Sequence, residues 1–302
     1  MTSMLDRPLK PRTFSPVSRR RRITNYVATL LVSLSLLVAV TPLVMVLWSV
    51  VAKGFKAIAS TTWWSHSQAG MTAFVTGGGA SHALVGTVLQ GLVCAVISIP
   101  LGLMVAIYLV EYGGTALSRL ASFMVDILSG VPSIVAALFI YALCVATLGL
   151  SRSEFAVSLA LVLLMLPVIV RATEEMLRIV PVDLREASYA LGITKWKTIA
   201  RVVIPTGLSG IVTGILLAMA RVMGETAPLL ILVGYAQSMN FDIFRGFMGT
   251  LPGMMFNQTS AGASLNPIPT DRLWGAALTL ILVIATINVA ARVIAKFLGA
   301  RK

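Results

Sequence analysis

Two groups of charged residues interrupt an otherwise oily sequence. In the stretch VRATEEMLR, Val170 to Arg178, Arg171 lies three and four residues before Glu174 and Glu175, and Arg178 lies four and three residues after them. On a helix these four share a face, so opposite charges can pair; a solvated set of ion pairs at a helix end is the competing reading. The second group is Arg221 and Glu225, about 14 to 18 residues into an apolar run that starts near Gly207, well inside hydrocarbon by helical rise. A charge at the centre of a span costs about 2.5–3.5 kcal/mol on insertion scales, so it commonly faces the protein interior and serves a function. A self-neutralising i,i+4 pair that holds helices together is the alternative. Gly224 and Pro228 bracket Glu225, and a proline there frees backbone that only a cavity or a neighbouring helix can satisfy. A guanidinium stays charged in a dry passage and forms two parallel bonds to phosphate or carboxylate oxygens. These residues therefore point to binding of a small oxyanion. They do not separate phosphate from sulfate or molybdate.

The elements that would position them are membrane spans. Of 302 residues, 57% are hydrophobic and 12% charged, with a mean hydropathy of +0.91; soluble domains carry about 25% charged residues. Six runs are long enough to cross about 30 Å of hydrocarbon. They are Tyr26–Val51, Ala83–Val110, Leu120–Leu148, Phe155–Val170, Gly207–Gly234 and Leu273–Ile294. The fourth is short unless its helix continues through Arg171. A net charge of +13 would point to nucleic acid in a soluble protein, but here the placement of charge matters more. Eighteen of the 24 Lys and Arg fall on one side of the spans, against five on the other and Arg221 within. By the positive-inside rule this places both termini and the segment from Arg171 to Arg201 in the cytoplasm of a multi-pass plasma-membrane protein.

Residues 1–25 read as a disordered basic tail and 26–51 as the first span. The apolar run after Arg19 to Arg22 is too long for a signal peptide's core, so this span is expected to be uncleaved. Two long connections, Lys53 to His82 and Tyr235 to Arg272, are expected on the outer side as irregular loops with short helices, serving as spacers or as a docking face. Cys94 and Cys144 fall inside spans and read as packing residues. Asp126, near the start of the third run, reads as a helix-end residue favoured by an N-terminal dipole, with a gating role as the alternative. His66 and His82 lie in an outer loop without ligands at metal spacing, and no metal is expected.

Between the fourth and fifth runs lies EASYALGITKWKTIARVVIP, Glu186 to Pro205, a polar interruption that needs a reason. Asp183 and Glu186 have capping-box spacing. Gly192 can end a short helix, and Thr194 can cap a second that Pro205 stops. Trp196, Ile199, Ala200 and Val203 form one apolar face of that second helix, with Lys195, Lys197 and Arg201 turned away. The expectation is a rigid helix-turn-helix knob suited to a groove on another protein, with a surface helix at the headgroups as the bland alternative. The 302 residues contain no G-x-x-x-x-G-K-[ST] phosphate loop, so energy from ATP would have to come from a separate subunit.

Glu186-Ala187-Ser188, Gly192 and Val202-Val203-Ile204-Pro205 resemble the EAA loop of ABC-importer permeases, EAA-x3-G-x9-I-x-L-P, departing from it at Ser188, Val202 and Ile204. The stretches LSGVPSIV at Leu128 and ARVMGETAPLL at Ala220 are similar to signature stretches of phosphate-specific permeases. IYLVEY at Ile107 brings the chain nearer the PstA kind than its partner, the PstC kind. The resemblance implies an all-α, six-span type I importer permease of MetI-like fold, with a permease domain over 83–294, a coupling loop over 181–205 and a cytoplasmic end at 295–302. It implies a heterodimer with a PstC-like permease, a PstB-like ATPase dimer that uses ATP and Mg, and a PstS-like external phosphate-binding protein. No cofactor would be bound by this chain. Arg171, Glu174 and Arg221 match the family's phosphate passage, and the physical argument adds Glu225. Glu186, Ala187, Gly192, Trp196 and Pro205 would couple to the ATPase. An intramembrane hydrolase would need a catalytic set at one depth, and no His lies in the six runs. A permease for another oxyanion and an ion-coupled carrier are the remaining alternatives.

Overall fold

The computed structural model describes residues 18–263 and 265–298, which are helical with connecting loops. The chain divides into two compact units, residues 1–49 and 50–302. Helix α1 (Arg19–Ile58) supplies all the described structure of the first, and from Leu30 to Trp48 its large apolar side chains are exposed. The helix starts at Arg19, so residues 19–25, expected as part of a disordered tail, are helical. Ser18 caps them, its Oγ accepting from the Arg21 N–H at 3.4 Å. The rest of that tail, residues 1–17, and the end of the C-terminal segment, residues 299–302, lie outside the described residues.

The second unit contains the last turns of α1, the short α2 (Thr61–Ser65), α3 (Ser81–Glu111), α4 (Ala116–Ser129), α5 (Ser133–Ile140) and α6 (Glu154–Ile179). Helices α7 (Val182–Ala190), α8 (Lys195–Thr198), α9 (Ile204–Met223), α10 (Ala227–Leu232), α11 (Leu251–Ser260) and α12 (Pro267–Leu298) complete it. The most buried helix is α6, packed between α3, α5 and α9, with Leu161, Met165 and Ile169 at its centre. Membrane helices gain nothing hydrophobic by leaving lipid for each other, so they associate through close packing at small residues. A Cβ on Gly102 would come within 2.6 Å of Ile169 Cγ2, and one on Gly214 would run into the Ala172 side chain. These glycines set how closely α3 and α9 approach α6.

The expected Leu120–Leu148 span is not one helix. Gly130-Val131-Pro132 breaks it, and α4 and α5 meet at 108°. Pro132 cannot donate its nitrogen, and the residue before it is driven out of helical conformation. After α5 the chain continues as a π-helix over Tyr141–Thr147. The expected Gly207–Gly234 span is also divided. Its helix runs through Lys195–Met223, stops at Gly224, and resumes as α10 with Pro228 in the first turn. With the bent pair counted as one, the helices long and apolar enough to cross a membrane number up to 6 among the described residues.

The long connections are packed rather than loose. Arg272 donates to the carbonyls of Thr72, Val75 and Gly77, with distances of 2.6–3.2 Å. His82, expected in a loop, lies buried in the first turn of α3 and bonds Tyr235 Oη at 2.8 Å. Tyr235 in turn donates to Gln68 Oε1 at 3.0 Å. Burial pushes the Tyr235 phenol above its usual range. Cys94 and Cys144 are buried and unbridged.

Candidate functional site

The segment from Arg171 to Arg178 belongs to α6, as the length of the fourth run requires. Its ion pairs are more selective than the spacing implied. Arg171 Nη1 donates to Glu174 Oε2 at 2.6 Å, and Glu174 Oε1 accepts from Arg178 Nη2 at 2.8 Å. Glu175 is exposed and takes no part. The second nitrogen of Arg171 reaches across to α4, where it donates to Ser122 Oγ at 2.9 Å, to the Ser122 carbonyl at 3.2 Å and to the Asp126 carboxylate. Asp126 therefore sits in the later half of α4, away from that helix's N-terminus, and binds Arg171. Its own spacing carried no such signal, because the partner lies 45 residues away.

Arg221 occupies the last turn of α9, not the middle of a continuous span, and Glu225 lies in the break that follows. No ion pair joins them among the described residues. The helix ends between the two, so the i,i+4 geometry that would bring them together is lost. The Glu225 N–H instead donates to the Val222 carbonyl at 3.1 Å.

The two arginines nonetheless border one cavity. Arg171 and Arg221 both line a cavity of about 220 Å³, walled by Leu164, Pro167 and Val168 of α6 and by Leu128, Ser129 and Val131 at the α4–α5 break. Broken helices are tolerated at membrane depth where freed backbone lines a cavity, and the break after Ser129 and the end of α9 both border this one. Arg171 is matched by Asp126 and Glu174, whereas Arg221 brings charge that no carboxylate pairs with among the described residues. The cavity thus has mostly apolar walls, two guanidinium groups of which only that of Arg171 is paired among the described residues, and space for a small anion. Glu174 joins it through Arg171; Glu225 does not line it.

The polar interruption folds as a hairpin of α7 and α8. Gly192, at φ +75°, ends α7. Its N–H donates to the Tyr189 carbonyl at 2.9 Å, and the Ile193 N–H donates to Ser188 at 3.2 Å, the paired bonds of a Schellman ending. The expected capping box is absent. Pro181 holds the N-cap position and Asp183 falls in the first turn. Thr194 sits at the N-cap position of α8 but its side chain makes no capping hydrogen bond, and the second helix does not stop at Pro205. It passes through a π-helical turn, Ile199–Val203, into α9, where Pro205 sits in the first turn. The proline falls inside this continuous helix directly after the π turn, where the Ile204 N–H already reaches five residues back to the Ile199 carbonyl. The π turn also changes the phase of the apolar face: Ile199 and Val203 are buried, while Ala200 is exposed and Trp196 is 63% exposed. Glu186 and Ala187 are exposed on α7 beside Leu184, Tyr189 and Leu191. Buried Ser188 and Thr198, their hydroxyls 2.8 Å apart, brace the two arms. Sequence reasoning missed Arg185 and Glu111, which form a shielded ion pair between α7 and the end of α3.

An all-helical membrane subunit with a charged cavity at its helix breaks and an exposed polar hairpin has the form of a transport permease. A sequence model of the family described as binding-protein-dependent transport system inner membrane component matches residues 98–302, and the chain belongs to that family. Over 300 residues it is 55% identical to the phosphate transport system permease protein PstA 1 of Mycobacterium tuberculosis, covering 99% of this chain and 97% of that one. It is 38% identical to PstA of Yersinia pestis over 277 residues, 91% of this chain and 90% of that one. The fold is shared with a chain of the inward-facing MetNI methionine ABC transporter, with a TM-score of 0.56 and 20% identity over 73% of this chain and 94% of that one.

Proposed function

We propose that this chain is a permease subunit of an ATP-driven importer of inorganic phosphate in a bacterial plasma membrane. The observation that carries this reading is the cavity shared by Arg171 and Arg221, with one arginine matched by carboxylates and the other open. A guanidinium binds a phosphate oxyanion through parallel charge-assisted bonds, and this suits a passage whose protein relatives carry phosphate in their names. Arg171, Glu174 and Arg221 are the pathway residues, and Glu225 flanks them at the α9–α10 break. The chain supplies half the pathway, and a PstC-like permease supplies the other half.

ATP and Mg are used by a PstB-like ATPase dimer that docks on the exposed face of the hairpin, at Glu186, Ala187 and Trp196. A PstS-like binding protein delivers phosphate at the opposite face. Charge asymmetry favours cytoplasmic termini. Closure of the ATPase moves the hairpin and switches the spans between inward-open and outward-open states, because the ATP-bound dimer binds one state better than the other.

The test is reconstitution of the four kinds of subunit in proteoliposomes, followed by ATP-driven uptake of phosphate, sulfate and molybdate. Phosphate should accumulate well above the other two. Equal accumulation of all three would remove the assignment to phosphate.

A further inference from the structure

We propose that Glu111, the last residue of α3, locks the coupling hairpin to the pathway helices, so that displacement of α7 carries α3 and α6 with it as one body. This rests on the permease reading above and adds a positioning residue to it.

Glu111 is held from both arms of the hairpin. From α7, Arg185 pairs with its carboxylate, and the two side chains are only 16% and 5% exposed. From α8, Lys195 Nζ donates to the Glu111 carbonyl at 2.5 Å and lies 4.1 Å from the centre of the Tyr112 ring, which stacks on Tyr108. Arg185 also donates to the Leu177 carbonyl of α6 at 2.8 Å, so one guanidinium ties the hairpin to the ends of α3 and α6 together. An exposed pair exchanges its partner for water at little cost. A shielded pair does not, because separating it leaves an uncompensated charge. Helix α6 then carries the motion to Arg171, and α3 follows through the close contact of Gly102 with Ile169.

The experiment uses the full reconstituted complex and the variant Glu111→Gln. Phosphate imported per ATP hydrolysed should fall about tenfold, in the range of ordinary coupling energies, while ATP hydrolysis continues at the wild-type rate. Reversing the pair, Glu111→Arg with Arg185→Glu, should restore much of the ratio. A parallel loss of both activities with no recovery on reversal would reduce Glu111 to a folding residue and overturn the proposal, as would an unchanged ratio in Glu111→Gln.

A second measurement does not depend on substrate. Spin labels at Met104→Cys and Ala190→Cys, both exposed while the native thiols are buried, should hold one distance in nucleotide-free and vanadate-trapped complexes and change it in Glu111→Gln. A distance that changes in the wild-type background sinks the lock. A wild-type complex that hydrolyses ATP without moving phosphate counts against the permease reading instead, and the label distances still judge the lock.

Discussion

At the scale of single residues, the two arginines of the cavity differ in how much of their charge is already spent. Arg171 bonds Glu174 at 2.6 Å, Ser122 at 2.9 Å and the carboxylate of Asp126. Arg221 lines the same cavity with no carboxylate paired to it among the described residues. Under the proposed function a passing anion would be met mainly by Arg221, while Arg171 holds α4 to α6. Arg221→Ala should lower ATP-driven phosphate uptake about tenfold or more, the scale of one lost charge-assisted contact of about 1.5–3 kcal/mol. ATP hydrolysis and protein yield should be unaffected, as measured in proteoliposomes. Unchanged uptake would make Arg221 a structural residue only. The sequence singled out Arg221 because charge inside an apolar run is costly whatever the fold, and Arg171 by its helical spacing to Glu174 and Glu175. It could not assign Asp126, because a pair formed across 45 residues exists only once α4 and α6 are packed.

At the scale of elements, the hairpin was legible from composition and failed in its details. Gly192 was readable as a helix ending because a left-handed residue without a Cβ is what such an ending needs. Pro205 was misread as a stop, since nothing in the local sequence announces the π turn at Ile199–Val203 that leads the backbone on into α9. Gly192→Leu would force a side chain into φ +75° at a cost of about 1–2 kcal/mol. That is too little to prevent insertion but enough to displace Ile193 and Thr194, so uptake should be lost while membrane yield stays at the wild-type level. Uptake at the wild-type rate would show that the hairpin does not need this ending. The broken spans teach a related lesson. Hydropathy windows count apolar residues and pass over Gly130-Val131-Pro132, although the 108° bend there shapes one wall of the cavity.

At the scale of the whole molecule, the cavity brings two arginines to the helix breaks, and the 302 residues contain no phosphate loop of their own. The chain alone, placed in vesicles with an ion gradient and without ATPase or second permease, should take up no phosphate above background. Tracer uptake under that gradient would favour an ion-coupled carrier.

Length, apolar content and charge asymmetry were sufficient to specify a helical, multi-span membrane subunit. The cost of burying charge and polar backbone in lipid is local, and every stretch of sequence must respect it. Which charges meet across helices was decided only by tertiary packing. Arg171 with Asp126, Arg171 and Arg221 on one cavity, and Glu111 with Arg185 bring together helices far apart in the chain. Such pairings depend on the approach distances that small residues such as Gly102 and Gly214 allow, and no periodicity along the sequence records those distances.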